Sequence, residues 1–245
     1  MKLSICMATY NGEKYIFEQL NSIIHQLSKD DEIIISDDSS NDKTIDIIKS
    51  FKDNRILLIE NQKFGNPIFN FENAIKNATG DIIVLSDQDD IWEGNKIEVV
   101  KESFAGKDLN KPILNLYNGI LIDANNDIIN DDLFNFLKLK KGLIYNIIKN
   151  RIIGCNMTFN RRLLDFAMPF PKNIHMHDMW LGNIGYIFGE VNFINKKVIK
   201  YRRHSNNYTN YKNTLMKKFL IRYYLIKNLL VRYIRHINIK NKIYK

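Results

Sequence analysis

Apolar residues recur along the first hundred positions in two alternating rhythms. Short β-branched runs at Leu3 to Ala8, Glu32 to Ser36, Arg55 to Glu60 and Asp81 to Ser86 predict strands. Between the first two, Glu13 to Leu27 carries Tyr15, Ile16, Leu20, Ile23, Ile24 and Leu27 at close to helical spacing. Asp42 to Phe51 and Pro67 to Ala78 predict two more helices, the second with Pro67 in its first turn and Gly80 just past its end. Strand and helix alternating in this way predict βαβ units and an α/β fold with a mainly parallel sheet.

The pattern then loosens. Ile113 to Asp123 predicts a strand, Asn125 to Asp132 an acidic turn and Leu143 to Lys149 a helix, and Lys111 to Asn150 as a whole is expected to wall a binding cleft. Ile152 to Phe159 reads as a strand entering a helix at Arg161 to Ala167, His177 to Phe188 as a further helix, and Val191 to Tyr201 as a last strand. With no internal repeat and no flexible linker, the expectation is one domain over residues 1–210 and a tail over 211–245.

Within that tail, Thr214 to Ile237 predicts a basic amphipathic helix. Lys217, Lys218, Arg222, Arg232, Arg235 and His236 share one side of a 3.6-residue wheel, with Lys227 the exception; Phe219, Tyr223, Ile226, Leu230, Tyr233, Ile234 and Ile237 share the other. Such a helix suits a membrane interface, and equally its apolar side suits docking on the body of the protein.

Charge sharpens the contrast. All 27 acidic residues precede position 191, whereas 15 of the 36 Lys and Arg follow it, so the body carries −6 and the tail +15. The tail is expected to meet an anionic partner, a membrane surface or a nucleic acid, unless it is simply a solvated basic helix. With 45% hydrophobic residues and only 11 Gly and 4 Pro, collagen and low-complexity disorder are excluded. Cys6 and Cys155 sit in apolar runs and read as core residues in a reducing cytosol. The start lacks the apolar stretch of a signal peptide, and no run approaches the roughly 18 apolar residues of a spanning helix.

Candidate chemistry gathers at the C-terminal ends of the predicted strands, where open α/β sheets bind ligands. Asp37 and Asp38 follow the second, Asp87, Gln88, Asp89 and Asp90 follow the fourth, and Asp178 opens a late helix. Carboxylates this close repel unless a cation joins them, and a hard divalent ion, Mg²⁺ or Mn²⁺, fits oxygen donors and in turn binds phosphate. The chain has neither the Gly-x-Gly-x-x-Gly of dinucleotide enzymes nor a Walker loop. An isolated Asp-x-Asp is a weak signal, because acidic turns after strands are common.

The joint pattern is more specific. Met7-Ala8-Thr9-Tyr10-Asn11-Gly12, Ser36-Asp37-Asp38-Ser39-Ser40 and Ala78 to Trp92 with its Asp87-Gln88-Asp89-Asp90, in this order and spacing, resemble the family-two glycosyltransferases of the GT-A fold. Gly154-Cys155-Asn156, His177-Asp178-Met179-Trp180 and Tyr201-Arg202-Arg203-His204-Ser205-Asn206-Asn207 resemble the bacterial rhamnosyltransferase-like branch. The resemblance covers about residues 1–210. It implies a Rossmann-like, mixed but mainly parallel sheet flanked by helices, followed here by the basic amphipathic helix.

That resemblance also implies roles. Thr9, Tyr10 and Asn11 would line a nucleotide pocket, with Asp38, and less firmly Asp37, holding base or ribose. Asp87 would lie near ribose or sugar, Asp89 would ligate the metal, and Asp90 would contact the donor sugar or cap the next helix. Asp178 resembles the catalytic base of inverting members; His177 would orient it or the acceptor, or have no special task. Trp180 would face a sugar ring or pack in the core. Arg203 would pair with the diphosphate and His204 add a metal ligand, their alternative being the basic rim of the tail.

The expected activity is therefore inverting, metal-dependent sugar transfer from a UDP- or dTDP-sugar to a growing, lipid-linked surface glycan. It would take place at the inner face of a bacterial membrane, with Mn²⁺ or Mg²⁺ as cofactor and the tail in peripheral contact with lipid. A nucleotidyltransferase is the alternative enzyme, weakened by the missing Gly-rich basic loop after the first strand. A basic nucleic-acid-binding protein is the alternative outside enzymes, and the acidic body argues against it.

Overall fold

The computed structural model describes residues 1–204 and 214–243, with side chains placed through residue 238. Ser205, Asn206 and Asn207 of the last motif lie outside the described residues. Four parallel strands form one half of the sheet: β1 (Leu3–Thr9), β2 (Glu32–Asp37), β3 (Ile56–Ile59) and β4 (Ile82–Ser86). Helices α1 (Ile16–Ile24), α2 (Thr44–Ser50) and α3 (Pro67–Asn77) connect them. Each of these strands and helices falls within two or three residues of its predicted span. Strands β1, β2 and β4 are buried on both faces, which is why they read as near-continuous apolar runs, whereas β3 is the half-exposed edge.

The second half is mixed. After β4 come β5 (Ile91–Trp92), α4 (Lys96–Phe104), β6 (Ile113–Ile122), β7 (Ile128–Asn130), α5 (Leu133–Leu137) and α6 (Leu143–Ile148). Then β8 (Met157–Asn160), α7 (Leu164–Ala167), α8 (His177–Phe188), β9 (Glu190–Arg202) and α9 (Leu215–Ile243) complete the described chain. The sheet order is β3-β2-β1-β4-β8-β6-β9-β5, with β7 paired to β6. Strand β8 runs antiparallel to both β4 and β6, whereas β6 and β9 are parallel.

Two expectations need correction. Lys111 to Asn150 does not wall the cleft: β6 is buried in the middle of the sheet, and Ala124 alone of that stretch reaches the cleft. Ile152 to Phe159 is not one strand, because Gly154–Asn156 forms a 3-10 turn before β8 begins at Met157.

Two hydrophobic clusters lie on opposite faces of the sheet. One packs Ile16, Leu20 and Ile23 of α1 with Val100 and Phe104 of α4 over β1, β2 and β4. The other packs α3, α7 and α8, and takes in Leu225 and Leu229 of α9. The tail helix is thus docked on the body by a narrow apolar stripe.

Candidate active site

A cleft of about 1040 Å³ opens over the C-terminal ends of β1, β2 and β4. Thr9, Tyr10 and Asn11, Asp38, Asp87 and Asp89, Asp178 and His204 all line it. Residues from five separated motifs are therefore brought to one place, as expected where a parallel sheet ends.

The β1 end is held rigidly. Asn11 takes a left-handed backbone (φ 47), which asparagine tolerates, and its side chain accepts from the Asn41 N–H at 3.0 Å. Gln88 brackets the preceding residue: its Oε1 accepts from the Tyr10 N–H and its Nε2 donates to the Tyr10 carbonyl, both at 3.0 Å. Tyr10 itself is 56% exposed at the mouth, with a flat ring free to cover a ligand.

The two aspartates after β2 separate. Asp38 lines the cleft, and its carboxylate accepts from the N–H groups of Phe64 at 2.6 Å and Asn66 at 3.3 Å, fixing the loop that frames one side. Asp37 is buried beneath it and accepts from the hydroxyls of Thr9 and Ser40 at 2.7 and 2.6 Å. Asp37 is therefore a brace joining β1 to β2 rather than a ligand contact, which corrects its place among the donor-binding residues.

The acidic motif divides in the same way. Asp87 and Asp89 face the cleft, whereas Asp90 is fully buried, its Oδ1 accepting from the Arg202 N–H at 2.9 Å. Asp90 thus ties the motif to β9; it does not line the cleft, and it does not cap α4, where Asn95 stands at the cap position. Burial, and then the charges of Asp90, Asp89 and Asp178, push the Asp87 carboxyl well above the usual carboxylate range. Burial, with Asp89 beside it, pushes Asp90 up to about 7. Behind them Lys96 is fully buried, donates to the Cys155 carbonyl at 3.1 Å and lies 4.1 Å from the Trp92 ring centre. Its ammonium is pushed down to about 8 by that burial.

His204 Nε2 lies 2.8 Å from Asp89 Oδ2, and the imidazole stacks on Tyr15 at 4.9 Å between ring centres. The neighbouring arginines separate to opposite sides of the strand end. Arg203 is exposed and does not line the cleft, which removes it from the donor-binding set. Arg202 is the buried one: its Nε donates to the Asp89 carbonyl at 2.7 Å, its Nη2 pairs with Glu18 at 2.7 Å, and its guanidinium lies 4.6 Å from the Tyr15 ring. Alternation along a strand says that two adjacent arginines diverge, but not which of them turns inward.

A carboxylate and imidazole donor set fits a hard divalent cation. Asp89 and His204 already converge, Asp87 stands beside them, and carboxyls raised by mutual repulsion are relieved by added positive charge. Asp87, Asp90 and Cys155 also bring ligand atoms within 4.8 Å of one another. Burial keeps the Cys155 thiol protonated, well above its ordinary range, so this inner group suits such an ion less well.

Across the cleft, α8 begins at His177, and Asp178 in its first turn is 6% exposed. Burial pushes its carboxyl up to about 7, partly offset by the Met179 N–H. His177 packs on Phe71, 4.2 Å between ring centres, and both its ring nitrogens are buried without a partner among the described residues. Its imidazole is pushed down to about 3 and stays neutral. Trp180 lies in the core with its indole N–H on the Ala167 carbonyl at 2.9 Å, so it presents no face to a sugar.

Comparison with known proteins decides the family. The model for glycosyl transferase family 2 matches residues 4–166. The chain belongs to glycosyl transferase family 2. A family relative in Escherichia coli, UDP-Glc:alpha-D-GlcNAc-diphosphoundecaprenol beta-1,3-glucosyltransferase WfgD, is 32% identical over 73% of this chain and 67% of its own length. The dTDP-rhamnosyl transferase RfbG of Shigella flexneri is 32% identical over 82% of this chain and 72% of its own. Among solved structures, residues 1–349 of S. aureus TarS in complex with UDP-GlcNAc superpose with a TM-score of 0.70 at 21% identity, covering 95% of this chain and 66% of that one. A mannosyltransferase from Pyrobaculum calidifontis in complex with GDP-Man and Mn²⁺ gives 0.61 at 16% identity, over 94% and 73%. The fold is GT-A, and this chain spans about two thirds of the WfgD and TarS chains it matches.

Proposed function

We propose that this chain is an inverting, metal-dependent glycosyltransferase that moves a hexose from a UDP- or dTDP-sugar onto a growing, lipid-linked surface glycan. The observation that carries the reading is Asp178, a carboxyl tuned to about 7, facing the Asp87–Asp89 motif across one cleft. Asp178 is close enough that its charge raises Asp87. A base with that affinity for protons works near neutral pH.

In this reading Thr9, Tyr10, Asn11 and Asp38 receive the nucleotide, with Asp87 toward its ribose or sugar. Deprotonated Asp178 accepts the proton of an acceptor hydroxyl as that oxygen forms its bond to the anomeric carbon. The bond from that carbon to the diphosphate oxygen breaks on the opposite face, and the diphosphate leaves with the electron pair. Asp89 and His204 would hold Mn²⁺ or Mg²⁺, which supplies charge neutralisation for the diphosphate. Arg202 keeps the Asp89 backbone in place from behind.

Support for the donor and acceptor classes comes from the relatives. One uses UDP-Glc on a diphosphoundecaprenol-linked sugar, one transfers a dTDP-linked rhamnose, and TarS was solved with UDP-GlcNAc. A lipid-linked acceptor places the work at the inner face of a bacterial membrane, with the tail in peripheral contact. The test is a thermal-shift panel of UDP, dTDP, GDP and CDP with and without Mn²⁺. A ligand at about 100 times its Kd adds roughly 2.7 kcal/mol, several degrees here. One nucleotide stabilising only with Mn²⁺, and not in Asp89→Ala, supports the reading; metal-independent stabilisation that survives Asp89→Ala counts against it.

A further inference from the structure

Helix α9 leaves most of its large apolar side chains on the side turned away from the body. The side that packs on the body combines the buried Leu225 and Leu229 with half-buried Arg222, Arg232 and His236, while Lys217, Lys218 and Arg235 stay exposed. Arg232 donates to the Met168 and Pro169 carbonyls at 2.7 and 2.6 Å and lies 5.7 Å from the Trp180 ring. Arg222 donates to the carbonyl of Ile148 in α6, and His236 packs against Phe166 at 4.9 Å. The large apolar side chains of the wheel are turned outward: Phe219 is 66% exposed, Ile226 43%, Leu230 56% and Ile234 55%. Exposed large apolar side chains recur on this helix from Leu215 to Ile237, about 33 Å at the usual rise.

An exposed apolar stripe of this length marks a surface that another phase or molecule covers. We infer that the outward face of α9 is a lipid-binding surface that lies in the headgroup region of an anionic leaflet, the helix axis parallel to the membrane. The biological purpose rests on the proposed lipid-linked acceptor; the surface itself rests on the helix.

Charge selects the occupant. Residues 191–245 hold 15 Lys and Arg and no acidic residue. Lys227, close to the middle of α9, is exposed on the apolar side. A second copy docking by the same face about a two-fold axis would bury both copies' Lys227 inside an apolar contact, with no acidic residue on the helix to pair them. Anionic headgroups instead satisfy Lys227, with Lys217 and Arg235 at the border of the stripe, while the aromatic and aliphatic side chains enter the acyl boundary. No helix among the described residues is long and apolar enough to cross a membrane, so the contact is interfacial.

The outward apolar stripe separates this proposal from simple electrostatic adhesion. In full-length protein, Phe219→Ser, Ile226→Ser and Leu230→Ser together should cut co-sedimentation with vesicles of equal parts phosphatidylglycerol and phosphatidylcholine by at least about tenfold. The single variant Ile234→Asp should do the same, which guards against misfolding of the triple variant. Neither variant should change the monomer mass in solution or the nucleotide thermal shift, so the transferase reading is judged separately. Wild-type protein that ignores these vesicles, or variants that bind as wild type does, would overturn the proposal. A wild-type dimer that the triple variant dissociates, with vesicle binding unchanged, would assign the face to a second copy instead.

Discussion

His204 Nε2 stands 2.8 Å from Asp89 Oδ2, a contact between residues 115 positions apart. Strand β9 makes it possible. The strand pairs with β5 just after the acidic motif, Ile91 opposite Lys200, so its end passes over Asp89. The Arg202 N–H on Asp90 and the Arg202 guanidinium on the Asp89 carbonyl lock the crossing. His204→Ala should therefore weaken Mn²⁺ binding by about tenfold or more without loss of fold, measured by Mn²⁺ titration followed by electron paramagnetic resonance. Unaltered Mn²⁺ affinity would remove His204 from the metal site.

Gln88 is the residue between the two cleft-facing aspartates, and its amide clamps both backbone groups of Tyr10. A Cβ on Gly12 would stand 2.4 Å from Gln88 Oε1, so glycine at that position leaves the space this amide occupies. Gln88→Ala should lower the melting temperature by a few degrees, from two lost hydrogen bonds at about 1 kcal/mol each, and weaken nucleotide binding. Calorimetry and nucleotide titration check both effects.

His177 is held neutral, its imidazole pushed down to about 3 by burial, while in the unfolded chain it titrates near 6.5. The unfolded state then binds the extra proton below pH 6.5, so this group costs stability progressively as pH falls from 6.5 toward 3. His177→Leu should flatten the acid limb of the melting-temperature curve in that window. Removing two buried, unpartnered nitrogens should also leave the variant at least as stable as wild type at pH 7.

Asp90 runs the other way. Its folded carboxyl is raised to about 7, so the folded state keeps a proton that the unfolded state has lost. Stability is present below about pH 4 and declines as pH rises toward 7. In metal-free buffer, Asp90→Asn should raise the melting temperature at pH 8 and change it little at pH 4, with the Arg202 N–H still accepted by the amide oxygen. Equal shifts at both pH values would contradict the burial argument.

Much of this architecture was legible in the chain. The Ile-rich runs of β1, β2 and β4 and the helical spacing of α1 and α3 placed the cleft, because the fold gathers the residues that follow parallel strands. His177 to Phe188 forms α8 with the predicted bounds, which put Asp178 in its first turn. What escaped depends on tertiary contacts. Helix α4 interleaves Lys96, Glu98 and Lys101 with its apolar positions, and its buried Lys96 reads as a surface charge until Trp92 and the Cys155 carbonyl are seen around it. Asp37, Asp90 and Trp180 carry site-like chemistry in the sequence yet serve the scaffold, since burial decides their partners. Arg202 was hidden beside Arg203, and the wheel of α9 gave two faces without saying which one the body would take.

The central claim is that Asp178 is the base of a sugar transfer. The most direct measurement is single-turnover transfer from the nucleotide sugar that the panel selects, followed against pH in wild type and in Asp178→Asn. The account predicts that the wild-type rate falls about tenfold per pH unit below about 7. It predicts that Asp178→Asn loses at least about a hundredfold in rate with nucleotide binding intact. Transfer by Asp178→Asn at the wild-type rate, with the same pH dependence, would contradict it.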